Sequence, residues 1–183
     1  MWSSARMSSN TDKSNSLADR VSLKGGRVRS NLLGRRVTNI ARSTISCGPR
    51  IRIDELMIPL AVAKNIFIPE TFKPFNFERL LTYYYNGLNA YPGSWILKKK
   101  VDGIKCSCDA LREKGYMPQV GDIIERNLIS GDYCIFNRMP TLYHSSMSAH
   151  RIIVNLKEEN SYTFRMNIFA CTLFNADFDG DAM

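Results

Sequence analysis

Residues 123–138 read IIERNLISGDYCIFNR. Two short runs rich in Ile, Tyr and Phe, Ile123–Asn127 and Tyr133–Arg138, flank the turn signal Gly131-Asp132. Partial alternation of apolar and polar side chains, broken by Gly-Asp, predicts two strands rather than a helix. The same signature recurs outward in both directions, as WILKK at 95–99, RIIVNL at 151–156 and YTFRMNIF at 162–169. Turn signals separate these runs at Gly103, Gly115 to Pro118, Gly121-Asp122 and Glu158 to Asn160. Short strands at such spacing predict a small barrel or sandwich. Upstream, NFERLLTYYYN places apolar residues at 77, 80, 81, 84 and 85, the spacing of an amphipathic helix. Asn76 is the expected N-cap and Asn86-Gly87 the expected stop. Further back, Pro59 and Pro69 act as stops around one helical turn at Leu60–Lys64, and Gly48-Pro49 closes a segment punctuated by Gly25, Gly26 and Gly34. The expected fold class is α+β, with a closed or nearly closed β part.

The chain has 183 residues, enough for one domain with a sizeable core. With 44% hydrophobic and 23% charged residues it has an ordinary globular composition, which excludes collagenous, mucin-like and wholly disordered classes. No apolar run approaches the roughly 18 residues of a membrane span. The N-terminus MWSSARMSSNTDKSNS lacks the apolar stretch of a secretory signal, and Asp12 argues against a transit peptide. Residues 1–16, rich in Ser and Asn, are expected to be a flexible leader. Five cysteines (Cys47, Cys106, Cys108, Cys134 and Cys171) show no framework spacing, and C-x-C at 106–108 has no second pair to complete a zinc site. Free thiols in a reducing compartment are expected.

The charge is uneven. Residues 1–52 hold 11 Lys and Arg against two acids, Asp12 and Asp19, whereas the remaining 131 residues hold 14 against 15. Between Lys24 and Arg52 stand eight basic residues and no acid. An Arg-dominated stretch of one sign points to a polyphosphate partner, because the guanidinium fork matches phosphate oxygens. The plainer reading is a solvated basic tail. Apolar Val28, Leu32, Leu33, Val37, Ile40 and Ile45 within it argue instead for an ordered element.

Asn175–Asp181, NADFDGD, is the most informative stretch. Three carboxylates alternate over five residues, after an apolar run, Asn167–Phe174, that reads as a strand. Like charges this close repel and raise one another's pKa unless a cation sits among them. Oxygen ligands suit Mg²⁺, which takes a few carboxylates together with waters and substrate phosphates. Gly180 permits the bend that makes the side chains converge, and Phe178 is placed to anchor the turn. A calcium loop would need Gly at its sixth position and Glu at its twelfth, but Ala182 stands at the sixth and the sequence stops at Met183. A solvated acidic turn explains the Phe, Gly and Asn partners poorly. Arg138, at the end of YCIFN and just before Pro140, could hold a phosphate or a sugar hydroxyl.

These stretches together resemble the largest, catalytic subunit of multisubunit DNA-directed RNA polymerases. NADFDGD is identical to that family's active-site signature. Arg138-Met139-Pro140-Thr141-Leu142-Tyr143 is similar to its R-Q-P-[ST]-L-H segment, and Met147–Arg151 to its M-x-A-H-R. Gly26–Ser43, GRVRSNLLGRRVTNIARS, is similar to a basic element of the same family. The likeness runs from about Leu17 to Met183, and is closest to the eukaryotic, archaeal and large-DNA-virus branch. Met139 stands where the family usually has Gln, Tyr143 where it has His, and Ser30 where Gly is common.

The resemblance implies a double-psi β-barrel core with a helical insertion over residues 45–183, preceded by a basic, mostly irregular DNA-contacting segment over 17–44. It implies that Asp177, Asp179 and Asp181 hold a catalytic Mg²⁺, and that Asn175 and Arg138 contact the ribose of the incoming ribonucleoside triphosphate. Lys24, Arg27, Arg35, Arg36 and Arg42 would touch template-strand phosphates, independent of sequence. The implied activity is template-directed RNA synthesis by Mg²⁺-dependent nucleotidyl transfer. The implied partners are template DNA, product RNA, the second-largest subunit and other polymerase subunits, with no membrane. The compartment would be the nucleus in a cellular eukaryote, and otherwise the cytoplasm or a viral factory, without secretion. Family subunits are many times longer, so the chain is expected to be a fragment inactive by itself. The alternative is a non-catalytic nucleic-acid-binding module with a vestigial Asp loop. A stand-alone phosphohydrolase ranks last, because no His or Lys motif is present to activate water.

Overall fold

The computed structural model describes residues 28, 32–34, 37–158 and 161–183. The chain divides into two units, 1–38 and 39–183. In the first, Leu33 N–H donates to the Val28 carbonyl at 2.9 Å. Of the six apolar positions expected to order the basic stretch, only Ile45 is buried; Val28, Leu32, Leu33, Val37 and Ile40 are exposed. The leader, and Lys24, Arg27, Arg35 and Arg36, lie outside the described residues.

The second unit is α+β, with two sheets. Its elements run β1 (Ile45–Cys47), β2 (Glu55–Pro59), α1 (Leu60–Asn65), β3 (Phe67–Thr71), α2 (Phe77–Asn86), β4 (Ser94–Lys98) and β5 (Lys105–Ser107). There follow α3 (Cys108–Glu113), β6 (Ile123–Asn127), β7 (Tyr133–Asn137), β8 (Met147–Asn155), β9 (Phe164–Met166) and α4 (Cys171–Phe174). The first sheet has the order β1-β9-β2-β8-β7, and the second β3-β6-β4-β5. In the first, β1/β9 and β2/β8 are parallel pairs while β2/β9 and β7/β8 are antiparallel. The second is antiparallel throughout.

Each sheet has its own core. Ile45, Leu56, Ile58, Phe136, Ile152, Phe164 and Phe174 fill the first. Phe72, Leu80, Tyr84, Leu97, Leu111 and Ile124 fill the second, where α2 and α3 supply the cover. The two are joined by Arg126, whose Nη1 and Nη2 grip Asp132 at 2.8 Å each while Nε donates to Glu70. Burial works to raise the Glu70 pKa, but the hydrogen bond and charge of Arg126 outweigh it and the net shift is downward. Asp132 also accepts from Ile129 N–H, which fixes the turn before β7.

Several sequence expectations change. The run Asn167–Phe174 is not a strand but a 3₁₀ turn, Ile168–Ala170, leading into α4. Asn167 accepts from Phe169 N–H and so starts the turn, and buried Ala170, Cys171 and Phe174 fall on one helical face. Pro69 does not stop β3 but lies within it; β3 is an edge strand, where a missing N–H costs no ladder bond. Helix α2 forms where expected, yet the Asn76 side chain accepts from Lys73 N–H and donates to Glu70 instead of capping it. Gly87 ends the helix at φ 58°, a conformation that favours glycine. Strands β1 and β5, of three residues each, and helix α3 were not expected; the two strands are too brief for a period to register.

Leu97 is fully buried in the second core, whereas Trp95, two residues away, is 46% exposed. Leu97→Ala is therefore expected to cost about 2–5 kcal/mol in urea unfolding, and Trp95→Ala distinctly less.

Candidate metal centre

The acidic loop is built from fixed ends. At its start Asn175 takes the left-handed conformation, φ 48° and ψ 43°, and Ala176 N–H donates to the Cys171 carbonyl at 3.1 Å. This ends α4 and turns the chain sharply; Asn tolerates that conformation better than most residues. Gly180 lies at φ 123°, and no atom lies within 4 Å of where its Cβ would be, so the backbone rather than crowding demands glycine. At its far end the Asp181 carbonyl accepts from Ile45 N–H at 3.0 Å. Ser43 and Met183 exchange two backbone hydrogen bonds at 3.1 and 2.9 Å, around an antiparallel bridge between Thr44 and Ala182. Between these ties Phe178 packs against the first core.

Held so, Asp177, Asp179 and Asp181 each present a carboxylate oxygen, all within 4.8 Å of one another. An octahedral cation with bonds of about 2.1 Å needs neighbouring ligands roughly 3 Å apart and opposed ones roughly 4.2 Å apart. The observed 4.8 Å bound is of the same order as that opposed spacing. Three hard anionic oxygens, two of the residues exposed and one half-buried, suit a divalent cation with open positions for water and phosphate.

The electrostatics are asymmetric. A hydrogen bond shared with Asp179, then desolvation and the charges of Asp179 and Asp181, push the Asp177 carboxyl up from its ordinary value of 3.8. Asp181 moves the other way: the Arg138 guanidinium, then Asp177 N–H, hold its carboxyl below that value. Arg138 Nε donates to Asp181 Oδ2 at 2.8 Å, and the same bond pushes the Arg138 pKa up. Strand β7 delivers Arg138 as its first residue past the ladder, as expected from Pro140. The segment that follows folds around a cleft of about 380 Å³ lined by Thr141, Leu142, Tyr143, His144 and Met147. Met139 and Tyr143 are both exposed.

Support comes from a residue to which sequence reasoning gave no role. His150 on β8 is 3% exposed. Its ring lies 5.7 Å from Phe136 and 5.8 Å from Phe174, the residue at which α4 gives way to the loop. Its Nε2 meets Ser148 Oγ at 2.9 Å, while Nδ1 has no hydrogen-bond partner among the described residues. The alternation of β8 places it inward, and that alternation was legible; the pairing with Phe174 was not. Of the sequence-predicted residues, the three aspartates and Arg138 come together, Asn175 opens the loop, and Arg42 is exposed. Lys24, Arg27, Arg35 and Arg36 are outside the described residues.

The family model described as RNA polymerase Rpb1, domain 2, matches residues 34–183. The chain belongs to this family. It is that of the largest subunit of multisubunit RNA polymerases. Among Rpb1 relatives, the DNA-directed RNA polymerase RPB1 homolog of African swine fever virus is 39% identical over 168 residues, covering 92% of this chain and 11% of the viral protein. Subunit Rpo1N of Thermococcus celer is 39% identical, covering 91% of this chain and 18% of its own length. Subunit 1 of Acanthamoeba polyphaga mimivirus is 37% identical, covering 92% and 12%. The chain thus spans between about a tenth and a fifth of these Rpb1 relatives. Among the described residues, no helix is long and apolar enough to cross a membrane.

Burial lowers the His150 pKa from its ordinary 6.5, outweighing the opposing pull of Asp54 and the Glu55 backbone. The unfolded chain then binds the proton more readily, so this contribution to stability is complete above pH 6.5 and is lost as pH falls through the lower folded value. Urea unfolding between pH 5 and 7 is expected to show that loss, and His150→Gln to flatten it.

Proposed function

We propose that the chain forms the active-site segment of a DNA-directed RNA polymerase largest subunit, joining ribonucleotides by Mg²⁺-dependent nucleotidyl transfer on a DNA template. The convergence of Asp177, Asp179 and Asp181 in a loop tied at both ends carries this reading. Membership of the Rpb1 family, whose relatives are named as polymerase subunits, supports it. The domain organisation we propose is a leader over 1–16, a DNA-contacting segment over 17–44 and a double-psi β-barrel domain over 45–183. The two parallel pairs, β1/β9 and β2/β8, linked by antiparallel β2/β9, support the barrel, and the second sheet with α2 and α3 is its insertion.

In this reading the three aspartates are the ligands of the catalytic Mg²⁺. The ion when bound supplies Lewis acidity, favouring the 3′-oxyanion and stabilising charge on the phosphorus and its leaving group. The aspartates' part is to present oxygens in a fixed array, so that little reorganisation remains once the substrates arrive. Arg138 and Asn175 orient the ribose hydroxyls, and the 2′-OH is the group that separates ribonucleotides from deoxyribonucleotides. The basic segment, with Lys24, Arg27, Arg35, Arg36 and Arg42, contacts template phosphates; its excess of 11 bases over two acids within residues 1–52 supports that role. Catalysis belongs to an assembly with the second-largest subunit and the other polymerase subunits, inside the cell: in the nucleus of a cellular eukaryote, or otherwise in the cytoplasm or a viral factory.

Asp179→Ala in a reconstituted polymerase is expected to lower RNA synthesis by at least about 100-fold, the rate equivalent of losing a few kcal/mol of transition-state stabilisation. Unchanged synthesis would refute the assignment. A protein that binds nucleic acid but shows no Mg²⁺-dependent change near Phe178 would favour a non-catalytic module.

A further inference from the structure

The donors of Arg138 are divided between two tasks. Its Nε alone meets Asp181, donating to Oδ2 at 2.8 Å. The same oxygen accepts from Asp177 N–H at 3.3 Å. Both donors act on Oδ2, so Oδ1 of Asp181 is the atom left for a cation. The terminal amino groups of Arg138 donate to no described residue, although the side chain is only 25% exposed. An arginine engaged only to neutralise a carboxylate would more often turn its two-pronged fork to it. Here a single prong is spent, and the rest of the guanidinium stays available.

We infer that Arg138 is a positioning residue for the metal ligand Asp181, fixing which carboxylate oxygen the cation meets, in addition to any contact it makes with nucleotide. This rests on the reading of the Asp loop as a cation site. One planar group fixes Asp181 through Nε and leaves Nη1 and Nη2 available to a further partner. Lysine cannot do both, because its charge sits at one point on a flexible stem. The residue belongs to the shell behind the ligands, where orientation is set.

Mn²⁺ binding to the 183-residue chain, followed by electron paramagnetic resonance, tests this on wild type, Arg138→Lys and Asp179→Ala. Arg138→Lys keeps the charge that faces the cation and loses the fixed donor. It is expected to weaken Mn²⁺ binding about 10-fold or more, with an unchanged melting temperature. Wild-type affinity in Arg138→Lys would overturn the inference while leaving the cation site standing. Equal affinity in Asp179→Ala would overturn the cation site, and the inference with it. In the wild-type chain the ¹⁵Nε–H resonance of Arg138 is expected to stay protected from exchange at Mg²⁺ saturation; loss of that protection would also overturn the positioning role.

Discussion

Mutual repulsion among three carboxylates is the constraint around which this molecule is arranged. Left to itself, a five-residue span bearing Asp177, Asp179 and Asp181 would splay. It does not, because α4 ends in a left-handed Asn175 on one side and backbone hydrogen bonds to Ser43 and Ile45 clamp the other. The first core serves those two anchors. Phe174 sits under the start of the loop against Phe136 and His150, and Ile45 sits under its end. In the proposed reading a cation relieves this repulsion, and the loop presents its oxygens to one.

The unequal charges within the loop follow from the same arrangement. Arg138 is brought in from β7, 43 residues away in sequence, and stabilises the ionised form of Asp181. Asp177 forms no ion pair with any described residue, and the hydrogen bond with Asp179 and the neighbouring charges push its carboxyl up. With Asp181 paired to arginine and Asp177 raised by its acidic neighbours, the loop is electrostatically asymmetric. Asp177 and Asp179 are exposed, and in the proposed reading this open side is where waters and substrate phosphates would complete the coordination of a cation.

What could be read from the sequence was what is local. The acid spacing, the bend at Gly180, the anchoring Phe178 and the position of Arg138 after a strand each rest on residues a few positions apart. Helix α2 was legible because ten residues repeat an apolar face nearly three times. The parallel pairing of β1 with β9, more than 100 residues apart, left no local trace. Neither did the pairing of Arg138 with Asp181, nor the bridge of Ser43 to Met183, in which backbone rather than side chains does the holding. The run Asn167–Phe174 reads as a strand in sequence because a short apolar segment fits a buried strand and a buried helix equally well. There the decision was made by Asn167 capping the turn and by Ala170, Cys171 and Phe174 packing as one face.

The central claim is that the folded loop is poised for a divalent cation rather than merely tolerant of its own charge. Thermal unfolding of the 183-residue chain in millimolar MgCl₂, against NaCl at matched ionic strength, addresses it directly. Specific binding to the folded state raises the melting temperature with Mg²⁺ concentration beyond what screening gives, and Asp179→Ala abolishes the difference. Superimposable melting curves in the two salts would contradict the account.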